Sequence, residues 1–195
     1  AAATQIGGQT IHAFAGVGHA GESAADLARH VASSYKAKKR WLACETLVID
    51  EISMLDASTF DKLDHVARYV RGNDKPFGGV QLLCCGDFLQ LPPVSARGGF
   101  AFEAKCWRRC FPEQRALTRV FRQSGDDTFL QILGELRIAK LSNKSAALLR
   151  RLKHTDLSEW TSRGIEPTRL QCYNADVDSI NEARLKALKL SLIHI

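Results

Sequence analysis

Long apolar runs are missing from this 195-residue chain, and their absence excludes a helix that spans a membrane. No apolar segment approaches the roughly 20 residues that such a helix needs. Internal repeats and low-complexity segments are also absent, and the N-terminus shows no charged segment followed by an apolar one. The missing N-terminal targeting pattern does not exclude a targeting signal, because we expect the native start of the protein to lie upstream of Ala1.

Cysteine pairs at zinc spacing are lacking too, although the chain has six cysteines. Cys106 and Cys110 have no second ligand pair, which argues against a metal site there. Cys84 and Cys85 lie next to each other in a predicted core strand, where cysteine behaves as a small hydrophobic residue. We therefore expect a protein of a reducing compartment, without disulfides.

The composition is that of a soluble α/β protein. With 195 residues and 45% apolar content, one sizeable core and a small appendage are expected. The net charge of +6 suits a polyanionic partner. Two basic groups, at residues 36–40 and 108–109, fit either contacts with phosphates or an ordinary solvated helix end or loop.

Two apolar runs end abruptly in polar residues. Thr46–Met54 passes from Leu-Val-Ile to Asp50 and Glu51, and Gln81–Val94 passes from Leu-Leu-Cys-Cys to Gly-Asp and then to Gln90. Runs of this kind are typical of buried parallel strands that carry functional groups at their carboxyl ends. Two such ends side by side would form half of an ATPase site.

These polar residues match what phosphoryl transfer from ATP requires. A carboxylate such as Asp50 holds Mg²⁺, and a neighbouring group such as Glu51 orients or deprotonates the attacking water. Gln90 can hydrogen-bond a γ-phosphate and respond to its loss. An Asp-Glu pair after an apolar run also arises by chance, whereas Gly-Asp-Phe-Leu-Gln-Leu-Pro-Pro is harder to obtain accidentally.

The secondary-structure pattern supports a parallel sheet. Helices are predicted over residues 10–14, 23–35, 58–71, 129–136 and 145–153, and strands over residues 47–50, 80–85 and 168–172. Ser58 and Asp61 resemble a capping box, and Gly72 and Asn73 end the helix that follows. The alternation of strands and helices indicates a doubly wound α/β fold with ligands at its carboxyl edge.

Five blocks of the sequence, in the same order, resemble the Pif-type DNA helicases of superfamily one. Asp50–Ser53 is similar to their Walker B box, and Gly86–Val94 to their motif III. The other blocks are Gly7–Gly18, similar to motif Ia, residues 61–79, similar to the Pif signature stretch, and Leu117–Gln123, similar to motif IV. The resemblance runs from about Ala1 to about Leu188.

The resemblance implies a RecA-like fold of the P-loop NTPase type, truncated at its N-terminus. The phosphate loop G-x-x-x-x-G-K-[ST] does not occur in these residues and is expected just before Ala1. The implied organisation places the first motor domain at 1–160 and the start of the second at 167–188, with a boundary marked by Pro167. Residues 189–195 do not resemble the family and are left uninterpreted.

The resemblance also implies further site residues. Arg122 in motif IV takes the arginine-finger position towards the nucleotide, the alternative being a surface ion pair. DNA contacts are implied for five residues of motifs Ia and III: Thr10, His12, Phe14, Pro92 and Pro93. Core packing explains Phe14 and Phe88 equally well, whereas the two prolines rigidify a loop.

The implied activity is that of an ATP-dependent 5′-to-3′ DNA helicase with Mg²⁺ as cofactor and ATP as substrate. Its implied partners are single-stranded DNA, duplex forks and G-quadruplex forks, and its implied roles are telomere maintenance, repair and recombination. We expect a monomer without membrane contact, in the nucleus or mitochondrion of a eukaryote or otherwise in the cytoplasm. Without the phosphate loop, this piece alone should be inactive. Two alternatives remain: a non-enzymatic nucleic-acid-binding remnant and a RecD-like exonuclease subunit.

Overall fold

A computed structural model describes residues 7–94, 99–123, 125–165, 168 and 170–187. Internal contacts divide the chain into two units, residues 1–141 and residues 142–195. The predicted boundary at Pro167 and the tail at 189–195 lie outside the described residues. The division into motor domains at residue 160 stays a prediction.

The described part of the first unit contains two strands and several helices. Its regular elements are α1 (Ile11–Ala15), α2 (Ala24–Ser33), α3 (Tyr35–Ala43), β1 (Thr46–Ile49), α4 (Ala57–Arg71), β2 (Gln81–Cys84), α5 (Trp107–Cys110) and α6 (Asp127–Arg137), with 3₁₀ turns at Ile52–Met54, Pro76–Gly79 and Ala101–Glu103. The second unit contains α7 (Asn143–Leu152), α8 (Ser158–Ser162) and α9 (Asn174–Ala187). No helix in the described ranges is long and apolar enough to cross a membrane.

The strands β1 and β2 pair in parallel, as the sequence predicts. Their register runs from Thr46 opposite Gln81 to Ile49 opposite Cys84. Leu47 and Ile49 of β1 are buried in the core. Because the two strands run in the same direction, the polar residues that follow each of them lie at the same edge of the sheet.

Helix α4 supplies the largest buried face of the first unit. Phe60, Leu63, Ala67 and Val70 are all buried, which confirms the predicted apolar stripe. Gly72 ends the helix in the left-handed conformation, also as predicted.

The predicted N-cap of α4, Ser58, is wrong by two residues. The N-cap is Asp56, whose Oδ1 accepts the backbone N–H of Thr59 at 2.9 Å while Oδ2 accepts the hydroxyl of Thr59. Asp56 satisfies the free N–H groups of the first turn as well as Ser58 would, and both residue types suit an N-cap. Asp61 instead accepts the backbone N–H groups of Lys105 and Cys106, at 3.1 and 3.0 Å.

Two other predicted elements differ from the structure. The helix predicted over 23–35 is split at Ser34, whose backbone is extended at φ −80° and ψ 107° and whose hydroxyl caps α3. Serine competes with a helix by hydrogen-bonding to nearby backbone groups, and the spacing of apolar residues does not reveal this competition. No strand is found at residues 168 and 170–172, the described part of the predicted strand over 168–172.

An aromatic cluster fixes the turn between α4 and β2. The ring of Phe60 lies 5.1 Å from that of Phe77, 5.5 Å from that of Trp107 and 5.9 Å from that of Phe111. Phe77 is fully buried and has a positive φ of 49°, which is strained for a residue with a side chain. Packing around the ring therefore holds this turn in a conformation that the local sequence disfavours.

Asp64, only 2% exposed, ties the same turn to α4 and α5. Its Oδ1 accepts the backbone N–H of Phe77 at 2.8 Å, and its Oδ2 accepts Nε of Arg68 at 2.9 Å. A guanidinium nitrogen of Arg109 lies 3.6 Å from Oδ2. A Cβ on the next residue, Gly78, would lie 2.7 Å from the carbonyl oxygen of Ala67, so the turn approaches α4 too closely for any other residue.

Candidate functional site

The carboxyl ends of β1 and β2 are joined by hydrogen bonds. The backbone N–H of Cys85 donates to the carbonyl of Ile49, and the N–H of Ile52 donates to the carbonyl of Cys85, both at 3.0 Å. Oδ1 of Asp50 accepts the N–H of Glu51 at 3.0 Å and the thiol of Cys85 at 3.1 Å. The two strand ends that were predicted from the sequence to lie side by side are therefore in contact in the structure.

The backbone at Glu51 is unusual. This residue has φ 54° and ψ 44°, a left-handed conformation that is uncommon for a residue with a side chain. A Cβ on Gly86 would lie 3.0 Å from both the nitrogen and Cγ2 of Ile52, so the two strand ends pass closely and a side chain at residue 86 would push against Ile52. Strain of this kind concentrates at functional sites, and it leaves the Glu51 side chain exposed at the sheet edge.

Asp87 organises the loop that follows β2. Its Oδ1 accepts the N–H of Leu89 and its Oδ2 accepts Nε2 of Gln90, both at 3.0 Å. Arg137 of α6 forms an ion pair with the same oxygen. Burial raises the pKa of Asp87, but the hydrogen bonds from Arg137, Leu89 and Gln90 outweigh it, so the pKa lies below its ordinary value.

Arg137 is a site residue that the sequence analysis missed. It lies 50 residues from Asp87 along the chain, in a helix where the pattern marked only apolar positions. An arginine in the last turn of a helix is common, because it interacts favourably with the helix dipole. No local signal in the sequence identifies its partner.

Helix α1 and its N-cap contain the three predicted DNA-contact residues of the motif Ia segment. The hydroxyl of Thr10 caps the helix by accepting the N–H of Ala13 at 3.2 Å. Thr10 itself is exposed and His12 is half-buried. The ring of Phe14 is also half-buried, with its centroid 5.1 Å from that of Trp41 in an edge-on contact.

Arg40 anchors this helix and is not an open phosphate contact. Its Nε donates to the carbonyl of Phe14 at 2.8 Å and a terminal nitrogen donates to that of Ala13 at 2.9 Å. The basic group at residues 36–40 therefore has two parts, since Lys36, Lys38 and Lys39 are exposed on α3. Cations at a helix C-terminus satisfy its free carbonyls.

The remaining predicted residues lie in loops. Pro92 is exposed and Pro93 is half-buried. Phe88 packs against Phe102 at 4.8 Å and Trp107 at 6.1 Å, in agreement with the core-packing interpretation. Arg122 is exposed, and no hydrogen bond or ion pair in the described part of the chain joins it to Asp50 or Glu51.

Cys84, the last residue of β2, and Cys85, which follows it, differ from each other. Cys84 is half-buried, and burial raises the pKa of its thiol to about 12. Cys85 is exposed, which corrects the expectation that both lie in the core. Burial is the main cause that raises the pKa of Cys85, and its hydrogen bond to Asp50 raises it further, so this thiol stays protonated and donates. Period-two alternation turns neighbouring residues to opposite faces.

The strand-end carboxylates fit a magnesium ion better than a protein-only metal cage. No group of three or more His, Cys, Asp or Glu residues within the described ranges is arranged to hold a metal. Mg²⁺ commonly binds one or two carboxylates, several waters and substrate phosphates. Asp50 suits this role, because its hydrogen bonds from protein groups fall on Oδ1.

Sequence comparison identifies the family. A sequence model described as PIF1-like helicase matches residues 1–145, which is most of the chain. The chain belongs to the PIF1-like helicase family. Both strand ends described above lie within the matched residues.

Curated relatives agree with this assignment. The chain is 47% identical over 192 residues to the rat ATP-dependent DNA helicase PIF1 and 46% identical over 192 residues to the human one. It is 37% identical over 193 residues to the DNA helicase RRM3 of Saccharomyces cerevisiae. These matches cover 96% of this chain but only 29%, 29% and 26% of the relatives.

Solved structures show the same fold. The Pif1 helicase of Candida albicans is 36% identical, with a TM-score of 0.87 over 96% of this chain and 42% of its own. The Bacteroides Pif1 in complex with ADP-AlF3 and single-stranded DNA is 28% identical, with a TM-score of 0.77 over 97% of this chain and 46% of its own. The PIF1-like chain described here therefore has the RecA-like α/β fold.

Proposed function

We propose that this chain is part of an ATP-dependent 5′-to-3′ DNA helicase that couples Mg–ATP hydrolysis to movement on single-stranded DNA. The observation that carries the proposal is the contact between the two strand ends, which places Asp50, Glu51 and the Asp87–Gln90 loop at one sheet edge. A Bacteroides relative has been solved with ADP-AlF3 and single-stranded DNA, and another Pif1 structure concerns forked duplex DNA. Telomere maintenance, repair and recombination, in a nuclear or mitochondrial setting, belong to the same proposal.

Each residue has a proposed role in this reaction. Asp50 holds Mg²⁺, which neutralises charge on the phosphates when it is bound. Glu51 accepts a proton from the attacking water, and Arg122 stabilises the negative charge that develops. Gln90 exchanges its hydrogen bond to Asp87 for one to the γ-phosphate. The proposed DNA contacts are Thr10, His12, Phe14, Pro92 and Pro93.

The test is DNA-stimulated ATP hydrolysis and strand separation by the full-length protein. We expect ATPase activity to rise when single-stranded DNA is added, and duplexes with a 5′ single-stranded tail to be unwound. Duplexes with only a 3′ tail should remain intact. Lack of any DNA-stimulated turnover, or unwinding from the 3′ tail alone, would contradict the proposal.

Replacing Gln90 by Ala should uncouple hydrolysis from DNA binding. The change removes a contact with the γ-phosphate without emptying a core site, because Gln90 is exposed. Loss of a hydrogen bond to a charged group costs about 1.5–3 kcal/mol, or about 10- to 100-fold in rate. We expect DNA-stimulated ATPase and unwinding to fall by that factor, while fluorescence anisotropy shows unchanged binding of single-stranded DNA without nucleotide.

Gln81→Ala is the matched control, since Gln81 is another exposed glutamine, at the opposite end of β2. It should unwind like the unmodified protein. Normal unwinding by Gln90→Ala would refute the coupling role. Weakened DNA binding with a shallower salt dependence would instead assign Gln90 to the DNA contact surface.

Replacing Cys85 by Ala should raise the Mg²⁺ concentration that ATP hydrolysis requires. The thiol hydrogen bond to Oδ1 orients the Asp50 carboxylate, and a bond of this kind contributes about 0.5–1.5 kcal/mol. We expect the Mg²⁺ concentration for half-maximal ATPase to rise about two- to tenfold, with the maximal rate largely kept. Cys84→Ala removes a neighbouring thiol that faces the core, and should leave the magnesium titration unchanged. Equal titration curves for both variants would rule out the orienting role.

A further inference from the structure

We propose that a second, basic site beside α4 binds backbone phosphates of DNA through residues outside the motif Ia and motif III segments. The site is a cavity of about 710 Å³ in the first unit, called the basic pocket here. Its lining includes Lys62, His65, Arg68, Lys105 and Arg109. The ligand class, DNA, rests on the proposed helicase function.

The charges of the basic pocket favour an anion. Lys62, Arg68, Lys105 and Arg109 are cationic, and the lining includes only two carboxylates. With His65 neutral, the lining carries a net charge of +2. A concave surface of one sign concentrates the field and attracts ions of the opposite sign.

Both carboxylates of the basic pocket are already occupied by protein groups. Asp61 accepts two backbone N–H groups, one on each oxygen. Asp64 is 2% exposed and accepts the backbone N–H of Phe77 and Nε of Arg68. All four carboxylate oxygens of Asp61 and Asp64 therefore accept hydrogen bonds from protein groups.

The cations keep donors for a ligand. Lys62 uses one N–H of its ammonium group to donate to the carbonyl of Ala20 at 2.6 Å, and an ammonium group has three. Arg68 contacts Asp64 through Nε, which leaves the donors of its two terminal nitrogens. The side chain of Arg109 is 55% exposed, and Lys105 is exposed as well.

The ligand that best fits this lining is the sugar–phosphate backbone. Apart from His65 no lining residue has an aromatic ring, so the basic pocket lacks the platforms on which unstacked bases pack. Arginine and lysine contacts to phosphates position a nucleic acid without reading its sequence. The predicted nucleotide residues and the predicted DNA contacts of motifs Ia and III do not line the pocket, whereas Arg109, from the basic group at 108–109, does.

The test is the salt dependence of DNA binding by the full-length protein. The double variant Lys105→Gln with Arg109→Gln removes two cations, and the 3.6 Å pair of the exposed Arg109 contributes little to folding. Each phosphate contact with duplex DNA adds about 0.9 to the slope of log affinity against log salt. We expect this slope to fall by about 1–2 on a 5′-tailed duplex.

Two controls make the result specific. Arg29→Gln with Lys75→Gln removes the same charge from exposed residues outside the basic pocket and should leave the slope unchanged. Lys105→Arg with Arg109→Lys preserves the charges and should preserve the slope. ATPase at saturating single-stranded DNA should equal that of the unmodified protein in the Arg29/Lys75 variant.

An unchanged slope for the double variant, or an equal fall for the Arg29/Lys75 control, would overturn the proposal. Loss of binding to polyglutamate with an unchanged DNA slope would also overturn it, and would point to an acidic protein partner. Failure of the helicase proposal is recognised separately, because the unmodified protein would then not unwind tailed duplexes at any salt concentration.

Discussion

Glu51→Gln is expected to lower ATP hydrolysis by the full-length protein severely while Mg–ATP binding is retained. The amide has the same shape as the carboxylate but cannot accept the proton of the attacking water. Removal of a general base lowers a rate by about 10²- to 10⁴-fold, and we expect a fall in this range. The measurements are steady-state ATPase with saturating single-stranded DNA and fluorescence titration with a labelled ATP analogue.

Glu45→Gln is the control for this change, since Glu45 is an exposed glutamate at the other end of the same strand. Its turnover should equal that of the unmodified protein. Near-native hydrolysis by Glu51→Gln would move the water-activating role to another residue. Loss of nucleotide binding would show instead that Glu51 helps to hold the magnesium complex.

Asp64→Ala is expected to cause the largest loss of stability of the changes considered. It leaves the buried N–H of Phe77 without its acceptor and removes the partner of Arg68. An unsatisfied buried donor and a lost charge-assisted hydrogen bond together cost about 2–4 kcal/mol. Urea unfolding of the 195-residue chain, followed by circular dichroism, measures this free energy.

Asp64→Asn separates the two contributions. The amide oxygen can still accept the N–H of Phe77, whereas the attraction to Arg68 and Arg109 is lost, so the expected cost is about 1 kcal/mol. Asp74→Ala, at an exposed aspartate, should change the free energy of unfolding by about 0.5 kcal/mol or less. Equal losses for Asp64→Ala and Asp64→Asn would show that the charge, and not the acceptor, stabilises the turn.

Local patterns predicted the elements of the first unit well where one cause dominates. The apolar stripe of α4 was predicted from the helical spacing of its apolar residues. The end of the helix was predicted from its glycine, the residue type that a left-handed C-cap favours. The cap at Asp56 and the break at Ser34 were missed, since several nearby side chains can cap a helix and only the final packing selects one.

One face of the two-stranded sheet is exposed, which the apolar runs in the sequence did not predict. Val48 and Leu83 lie opposite each other in the register and are 59% and 60% exposed. Strands of parallel sheets are normally buried on both faces, and the apolar runs led to that expectation. Substituting Leu83 by Thr should therefore destabilise the 195-residue chain far less than a change at a fully buried core position.

By itself, the sequence determined the family, the RecA-like fold and the two strand ends that meet at the sheet edge. These properties depend on residue types at short spacings, and such spacings are fixed by the covalent chain. Only the tertiary structure decided that Cys85 reaches Asp50, that Arg137 pairs with Asp87 and that Arg40 holds the motif Ia helix. Each of these contacts joins residues at least 26 positions apart, and distant partners leave no periodic signal in a single sequence.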